Sequence, residues 1–141
     1  MIGEKAMIRV RLSSKDAYYA GGLVNGAKMF DFFGDVITEL TIRLDGDESL
    51  LRGYEDVELF APVHAGDYME YHGWIEKIGN TSRIIKLEAY KCIELANDPS
   101  LPVSAANVLP AKLLTGRATA IAVVPKQCQR GFQDKAFNTK E

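Results

Sequence analysis

The amino-acid sequence predicts an α+β domain in which one long helix packs against an antiparallel sheet of about five strands. A stripe of apolar residues spaced three and four apart runs through residues 23 to 40. Segments that alternate apolar and charged residues precede and follow this stripe, and Gly- and Asp-containing turns separate them. With 141 residues, the chain is expected to form a single domain over 1 to 141. The polar tail over 125 to 141 is expected to be loosely ordered unless it wraps a partner.

The predicted helix has one apolar and one acidic face, and it ends at AspGlyAsp (45 to 47). Its apolar stripe consists of Leu23, Ala27, Phe30, Phe33, Ile37 and Leu40. The opposite side carries Asp31, Asp35 and Glu39, each four residues from the next. Because like charges at this spacing repel, the row is either a solvated face or is retained for a cationic partner or for proton chemistry.

The remaining segments alternate in the way that half-buried strands do. Strands are predicted at 7 to 12, 54 to 60, 68 to 78, 83 to 95 and 112 to 124. The first is expected at an edge of the sheet, and the third and fourth form a central hairpin around GlyAsnThrSer. Residues 97 to 110, which include three prolines, are predicted to be a loop.

Charge and composition exclude several classes of partner. The net charge is −2 and the basic residues are scattered, which argues against nucleic acid or an anionic membrane as the main partner. The N-terminus has no long apolar run, so we expect a cytoplasmic protein. Cys92 and Cys128 are too few for a disulfide framework and lack metal-ligand spacing, so they are predicted to be structural thiols without a metal.

Several runs of residues resemble a known family. AspAlaTyrTyrAlaGlyGlyLeuValAsnGlyAla (16 to 27) is similar to the signature that leads into the helix of hotdog thioesterases, and ProValHisAlaGlyAsp (62 to 67) resembles their strand-end turn. Together with 32 to 40, 43 to 48 and 70 to 83, these runs resemble the 3-aminoacyl-CoA ammonia-lyases. The resemblance implies the hotdog fold, with a bent sheet wrapped around the helix, and reversible loss of ammonia from a short 3-aminoacyl-CoA.

That reaction needs two proton carriers and a group that polarises the thioester carbonyl. It requires neither a metal nor a redox cofactor, since coenzyme A is part of the substrate. Backbone N–H groups at the helix start, near Leu23, Val24 and Asn25, are predicted to polarise the carbonyl. Carboxylates suit the other roles because the substrate carries an ammonium group. Asp35 is the first choice of base, since it lies in the most specific part of the resemblance and too far into the helix to be a cap.

Other candidates each have a structural alternative. Asp16, on the loop before the helix, is either a second proton carrier or a turn cap. Glu39 lies on the same helix face as Asp35 and is either a catalytic residue or a supporting charge. Tyr19 either orients a carboxylate or packs. The candidates that bind the phosphates of coenzyme A are the polar and basic side chains after the hairpin turn, namely Asn80, Ser82, Arg83 and Lys86. The alternative for Arg83 is an ordinary solvated charge in a turn.

The same sequence features are compatible with two other functions. A hotdog protein could hydrolyse acyl-CoA thioesters with the same helix start and a carboxylate, or it could bind acyl-CoA as a sensor. The expected partners are an acyl-CoA, ammonia and further copies of the chain. We expect a homo-oligomer built from hotdog dimers, with each site shared between one chain's helix start and a neighbour's strand.

Overall fold

The structure is a computed structural model that describes residues 1–134. Its main elements are β1 (Lys5–Arg11), α1 (Lys28–Asp45), β2 (Leu50–Leu59), β3 (Tyr68–Ile78), β4 (Ser82–Leu95) and β5 (Ala106–Val123). The strands form one antiparallel sheet in the order β1-β3-β4-β5-β2. The predicted α+β class is therefore confirmed, as are the edge position of β1 and the central β3–β4 hairpin.

Helix α1 lies across the inner face of the sheet. Phe33, Val36 and Leu40 are fully buried there, at the spacing that the apolar stripe predicts. At Gly73 on β3, an added Cβ would lie 2.6 Å from a methyl carbon of Val36, so glycine at this position permits the close approach of helix and strand. No helix in residues 1–134 is long and apolar enough to cross a membrane.

The helix begins later than the sequence pattern indicates. Its first residue is Lys28, and Leu23 and Val24 lie before it in extended backbone. The Val24 N–H donates to the Val63 carbonyl at 2.8 Å, which pairs this segment with the turn after β2 and keeps it out of the helix. The predicted end is confirmed, since Gly46 adopts a left-handed φ of 65° and its N–H donates to the Ile42 carbonyl.

Strand β5 also begins earlier than predicted, at Ala106, so the loop before it is shorter than 97 to 110. Ile93 of β4 pairs with Val108, and Lys91 pairs with Leu113. Between these two pairs, one residue of β4 faces residues 109 to 112 of β5. Pro110 lies in this bulge, where the ladder does not need its missing N–H. A proline is therefore compatible with the strand here.

The chain after Pro125 is not loosely ordered over its described part. The Arg130 N–H donates to the Asp45 carbonyl at 2.9 Å, and the Gln133 N–H donates to the Arg43 carbonyl at 2.8 Å. These bonds use carbonyl groups of the last helical turn that the helix itself leaves unpaired. The predicted loose tail is therefore corrected for 125 to 134, whereas 135 to 141 lie outside the described residues.

Candidate active site at the start of the helix

A cavity of about 370 Å³ lies where the start of α1 meets the end of β2 and the inner face of the sheet. Most of its wall is apolar, including Leu12, Leu23, Val24, Met29, Val63 and Met69. Polar side chains reach it only at Asn25, Lys28, Tyr71 and Thr115 among the described residues. An apolar wall with a few polar groups is typical of a small-molecule site.

Asn25 builds the helix start at the edge of this cavity. Its side-chain oxygen accepts the Ala27 N–H at 3.0 Å, and its carbonyl accepts the Lys28 N–H at 2.9 Å. The N–H groups of Asn25 and Gly26 have no protein acceptor within residues 1–134, and both residues line the cavity. Unpaired N–H groups at a helix N-terminus favour a negatively charged oxygen. They are therefore the candidate donors to a substrate carbonyl.

The structure provides only some of the backbone N–H donors that the sequence predicts. Val24 is not available, because its N–H already donates to the Val63 carbonyl. Leu23 and Asn25 keep N–H groups without a partner in the described part of the chain, and Gly26 joins them. The difference follows from the late start of the helix, which moves its first free N–H groups toward the C-terminus.

A buried ion pair fixes the turn at 62 to 67 that forms one wall of the cavity. Asp67 accepts the His64 N–H at 2.8 Å and lies 3.1 Å from the Lys91 ammonium. Both charged side chains are buried, and Lys91 also donates to the Pro62 carbonyl at 3.1 Å. The pair therefore holds Val63 in place against the chain that leads into the helix.

Two carboxylates share the ammonium group of Lys28, a residue that lines the cavity. Lys28 Nζ lies 3.4 Å from Asp16 and 3.1 Å from Asp31, and Lys28 itself lines the cavity. The Ser13 N–H donates to Asp16 at 2.9 Å, and together with Lys28 it holds the pKa of Asp16 below its usual value. Asp16 is thus both a turn cap and an ionised group that reaches the cavity through Lys28.

The other predicted catalytic residues lie away from the cavity. Asp35 is exposed and lines a separate shallow groove with Glu39. Glu39 accepts a hydrogen bond from Arg43 at 3.0 Å, which is an ordinary pair one helical turn apart. Tyr19 is 55% exposed. Within one chain, the geometry therefore favours Asp16 over Asp35 as the carboxylate near a bound substrate.

The four residues predicted to bind the phosphates of coenzyme A are not part of the cavity wall either. The Arg83 side chain is buried, and its guanidinium donates twice to the Asp45 carboxylate, both at 2.9 Å. Asn80 and Ser82 lie at the turn beside it, and Lys86 donates to a threonine hydroxyl on β5. Arg83 is therefore neither a solvated charge nor a free cation, because a carboxylate 38 residues earlier already neutralises it.

Sequence reasoning missed Tyr71, which lies on β3 and lines the cavity. Its side chain is 3% exposed, and its ring stacks on Phe32 with centroids 4.7 Å apart. The hydroxyl makes no hydrogen bond to any described residue, and burial raises its pKa. An aromatic residue at a core-facing strand position ordinarily packs, so only its inward place in the β3 alternation could have drawn attention to it.

Comparisons with known proteins find two ammonia lyases similar to this chain. No protein-family model matches the chain. The 3-aminobutyryl-CoA ammonia lyase of Acetoanaerobium sticklandii is 48% identical over 126 residues, which span 89% of this chain and 98% of the relative. The structure of β-alanyl-CoA:ammonia lyase from Clostridium propionicum is 43% identical, has a TM-score of 0.92, and covers 100% of this chain and 99% of its own.

More distant structures show the same architecture. A hexameric hotdog fold thioesterase of Campylobacter jejuni has a TM-score of 0.69 at 14% identity, covering 93% of this chain and 91% of its own. One long helix wrapped by a bent five-stranded sheet, with a cavity at the helix start, thus defines this chain as a hotdog-fold protein. The chain belongs to the 3-aminoacyl-CoA ammonia-lyase family, and it is a carbon–nitrogen lyase.

Proposed function

We propose that this protein eliminates ammonia reversibly from a short 3-aminoacyl-CoA, giving crotonyl-CoA from 3-aminobutyryl-CoA or acryloyl-CoA from β-alanyl-CoA. One observation carries the proposal: an apolar cavity combines free backbone donors at a helix start with Lys28, whose ammonium group contacts the carboxylates of Asp16 and Asp31. Coenzyme A enters as part of the substrate, and no further cofactor takes part. A cytoplasmic location and a place in amino-acid fermentation belong to the same proposal, since such thioesters form from amino acids where coenzyme A is held.

The helix start serves the thioester end of the substrate. The carbonyl oxygen accepts hydrogen bonds from the N–H groups of Asn25 and Gly26. Negative charge develops on that oxygen as the proton leaves the carbon next to the carbonyl. The positive end of the helix dipole and fixed donors stabilise this charge more in the transition state than in the ground state. The same contacts therefore lower the barrier to proton loss.

The carboxylates accept a proton from the substrate and attract its ammonium nitrogen. An ionised carboxylate takes the proton from C2, and the electron pair of that C–H bond forms the C2–C3 double bond. The electron pair of the C3–N bond leaves with nitrogen, so ammonia departs with its three hydrogens. Asp16 and Asp31 attract the substrate ammonium, and Asp16 is the better candidate for the base because its carboxylate is the more enclosed.

Mixing the protein with crotonyl-CoA and ammonium is expected to remove the absorbance of the conjugated thioester without releasing free thiol. Addition of ammonia saturates the double bond and leaves the thioester intact. A spectrophotometer that follows the enoyl thioester, with a thiol reagent in a parallel sample, measures both events. Butyryl-CoA is the control, since it offers no double bond and is expected to give neither signal. Thiol release would identify a thioesterase, and the absence of both signals would indicate a binding module.

We further propose that the chain assembles as a homo-oligomer of hotdog dimers. Strand β2 lies at an edge of the sheet and exposes Leu50, Leu51, Val57 and Leu59, of which Leu59 also lines the cavity. An edge strand with exposed apolar side chains is suited to pairing with a second copy. Light scattering at working concentration is therefore expected to give at least a dimeric mass. A fully active monomer would contradict this assembly.

A further inference from the structure

The ring of Tyr71 is held rigidly in the cavity wall. Phe32 stacks on it with an interplanar angle of 24°, and Phe33 meets it edge-on with centroids 5.8 Å apart. Strand β3 fixes its backbone through the ladder with β4, where Tyr71 pairs with Ala89. A ring held by two aromatic neighbours and a fixed backbone keeps its hydroxyl in one place.

The Tyr71 hydroxyl differs from the other hydroxyl and ammonium groups that line the cavity, because it makes no hydrogen bond or ion pair with a described residue. The neighbouring Thr115 hydroxyl donates to the Ala89 carbonyl at 3.3 Å, and the Lys28 ammonium has two carboxylates. The Tyr71 hydroxyl has no partner among the described residues. Among the buried side-chain nitrogen and oxygen atoms of residues 1–134, only the Tyr54 hydroxyl is both sealed from solvent and without a hydrogen-bond partner. The Tyr71 oxygen also lacks a partner but is not sealed, so it opens onto free space. The cavity that Tyr71 lines is that space.

Two carboxylates act on this hydroxyl, and each is paired with a lysine, Asp16 with Lys28 and Asp67 with Lys91. The charges of Asp16 and Asp67 both act on it and, after burial, raise its pKa further. The hydroxyl therefore stays protonated and neutral. Its oxygen keeps lone pairs free to accept a hydrogen bond. A substrate ammonium group supplies N–H donors that this oxygen can accept.

We infer that the Tyr71 hydroxyl is a catalytic group that accepts a hydrogen bond from the amino nitrogen of the 3-aminoacyl group. The inference rests on the proposed lyase function. With the carbonyl oxygen on Asn25 and Gly26 and the nitrogen on Tyr71, the acyl group is fixed at both ends. Tyr71 exchanges no proton, because the nitrogen leaves as ammonia with its three hydrogens and the electron pair of the broken C–N bond. In the reverse direction, the hydroxyl orients ammonia toward C3 of the enoyl group.

Tyr71→Phe removes only the oxygen and keeps the ring and its stacking. In the addition of ammonia to crotonyl-CoA, the variant is expected to raise the KM for ammonium and lower kcat, with kcat/KM for ammonium falling roughly 10- to 100-fold. The Kd of butyryl-CoA, which has no amino group, is expected to change less than about twofold. Steady-state kinetics at varied ammonium and a direct binding titration measure the two effects.

Tyr90→Phe is the matched control. Tyr90 lies on β4, where its backbone pairs with Glu70 of β3. Its side chain is on the outer face of the sheet, and its hydroxyl donates to the Glu88 carboxylate at 3.0 Å. Its variant is expected to behave like the parent protein. If the parent adds ammonia and Tyr71→Phe does so with the same KM and kcat, the role of Tyr71 is overturned. The same holds if butyryl-CoA binding falls as much as kcat/KM. If the parent adds no ammonia, the proposed function itself fails.

Discussion

Asp16→Asn is expected to lower turnover in the ammonia-lyase reaction by roughly 100-fold or more, whereas Asp35→Asn is expected to change it less than about twofold. Asp16 has a lowered pKa, exposes 19% of its side chain and is linked to the cavity wall through Lys28. Asp35 is an exposed carboxylate in a different groove. Steady-state rates of ammonia addition to crotonyl-CoA, measured for both variants under saturating substrate, decide between the two residues.

The two substitutions are matched, since each exchanges one carboxylate oxygen for an amide nitrogen. Asp16 also accepts hydrogen bonds from Ser13, so thermal unfolding of Asp16→Asn must accompany the rates. The side-chain oxygen of Asn keeps an acceptor for that cap, and we expect a small loss of stability. Asp31→Asn, which removes the other carboxylate on Lys28, is expected to lower turnover too. If only Asp35→Asn lost most of its turnover, Asp35 would be the base, as the sequence predicted. The active site would then lie between subunits.

The fold could be predicted from the spacing of apolar residues, because the buried face of a helix or strand requires that spacing. The apolar stripe through Phe33 and Leu40 and the alternation of β3 and β4 depend on local geometry and burial. The start of the helix was not predictable in the same way. Leu23 continues the helical spacing, yet its neighbour Val24 pairs with Val63, which lies 39 residues later in the chain. A long-range backbone pairing leaves no periodic signal in the segment itself.

The site was predictable where one local segment supplies it. Asn25 and Asp16 lie in the run that leads into the helix, and both reach the cavity region. Tyr71 was not predicted, because its strand joins the helix start only in the folded chain. Arg83 was assigned to phosphate binding because a sequence shows its charge but not the partner that neutralises it. Polar residues are thus easy to find in a sequence, whereas their partners are not.

Arg83→Leu is expected to lower the free energy of unfolding by about 3 to 5 kcal/mol. Both side chains of the Arg83–Asp45 pair are buried, and the guanidinium also donates to the carbonyl groups of Gly79 and Ser82. Removing the cation leaves the Asp45 carboxylate buried without its partner, at the end of α1. Chemical unfolding at a fixed protein concentration measures the loss, since assembly makes the apparent stability depend on concentration. Lys86→Leu, at a half-exposed pair, is the control and is expected to cost under about 1 kcal/mol.

Arg83→Lys separates this structural role from the phosphate binding that the sequence predicted. Lysine keeps the positive charge but cannot make the two parallel bonds to Asp45, so its variant is also expected to be destabilised. If Arg83 served only as a cation for phosphate, Arg83→Lys would keep both its stability and most of its affinity for coenzyme A. The buried pair instead predicts reduced stability, with the Kd of butyryl-CoA unchanged for the fraction that remains folded. A loss of butyryl-CoA affinity in Arg83→Leu without a loss of stability would contradict the pairing and return Arg83 to the coenzyme A site.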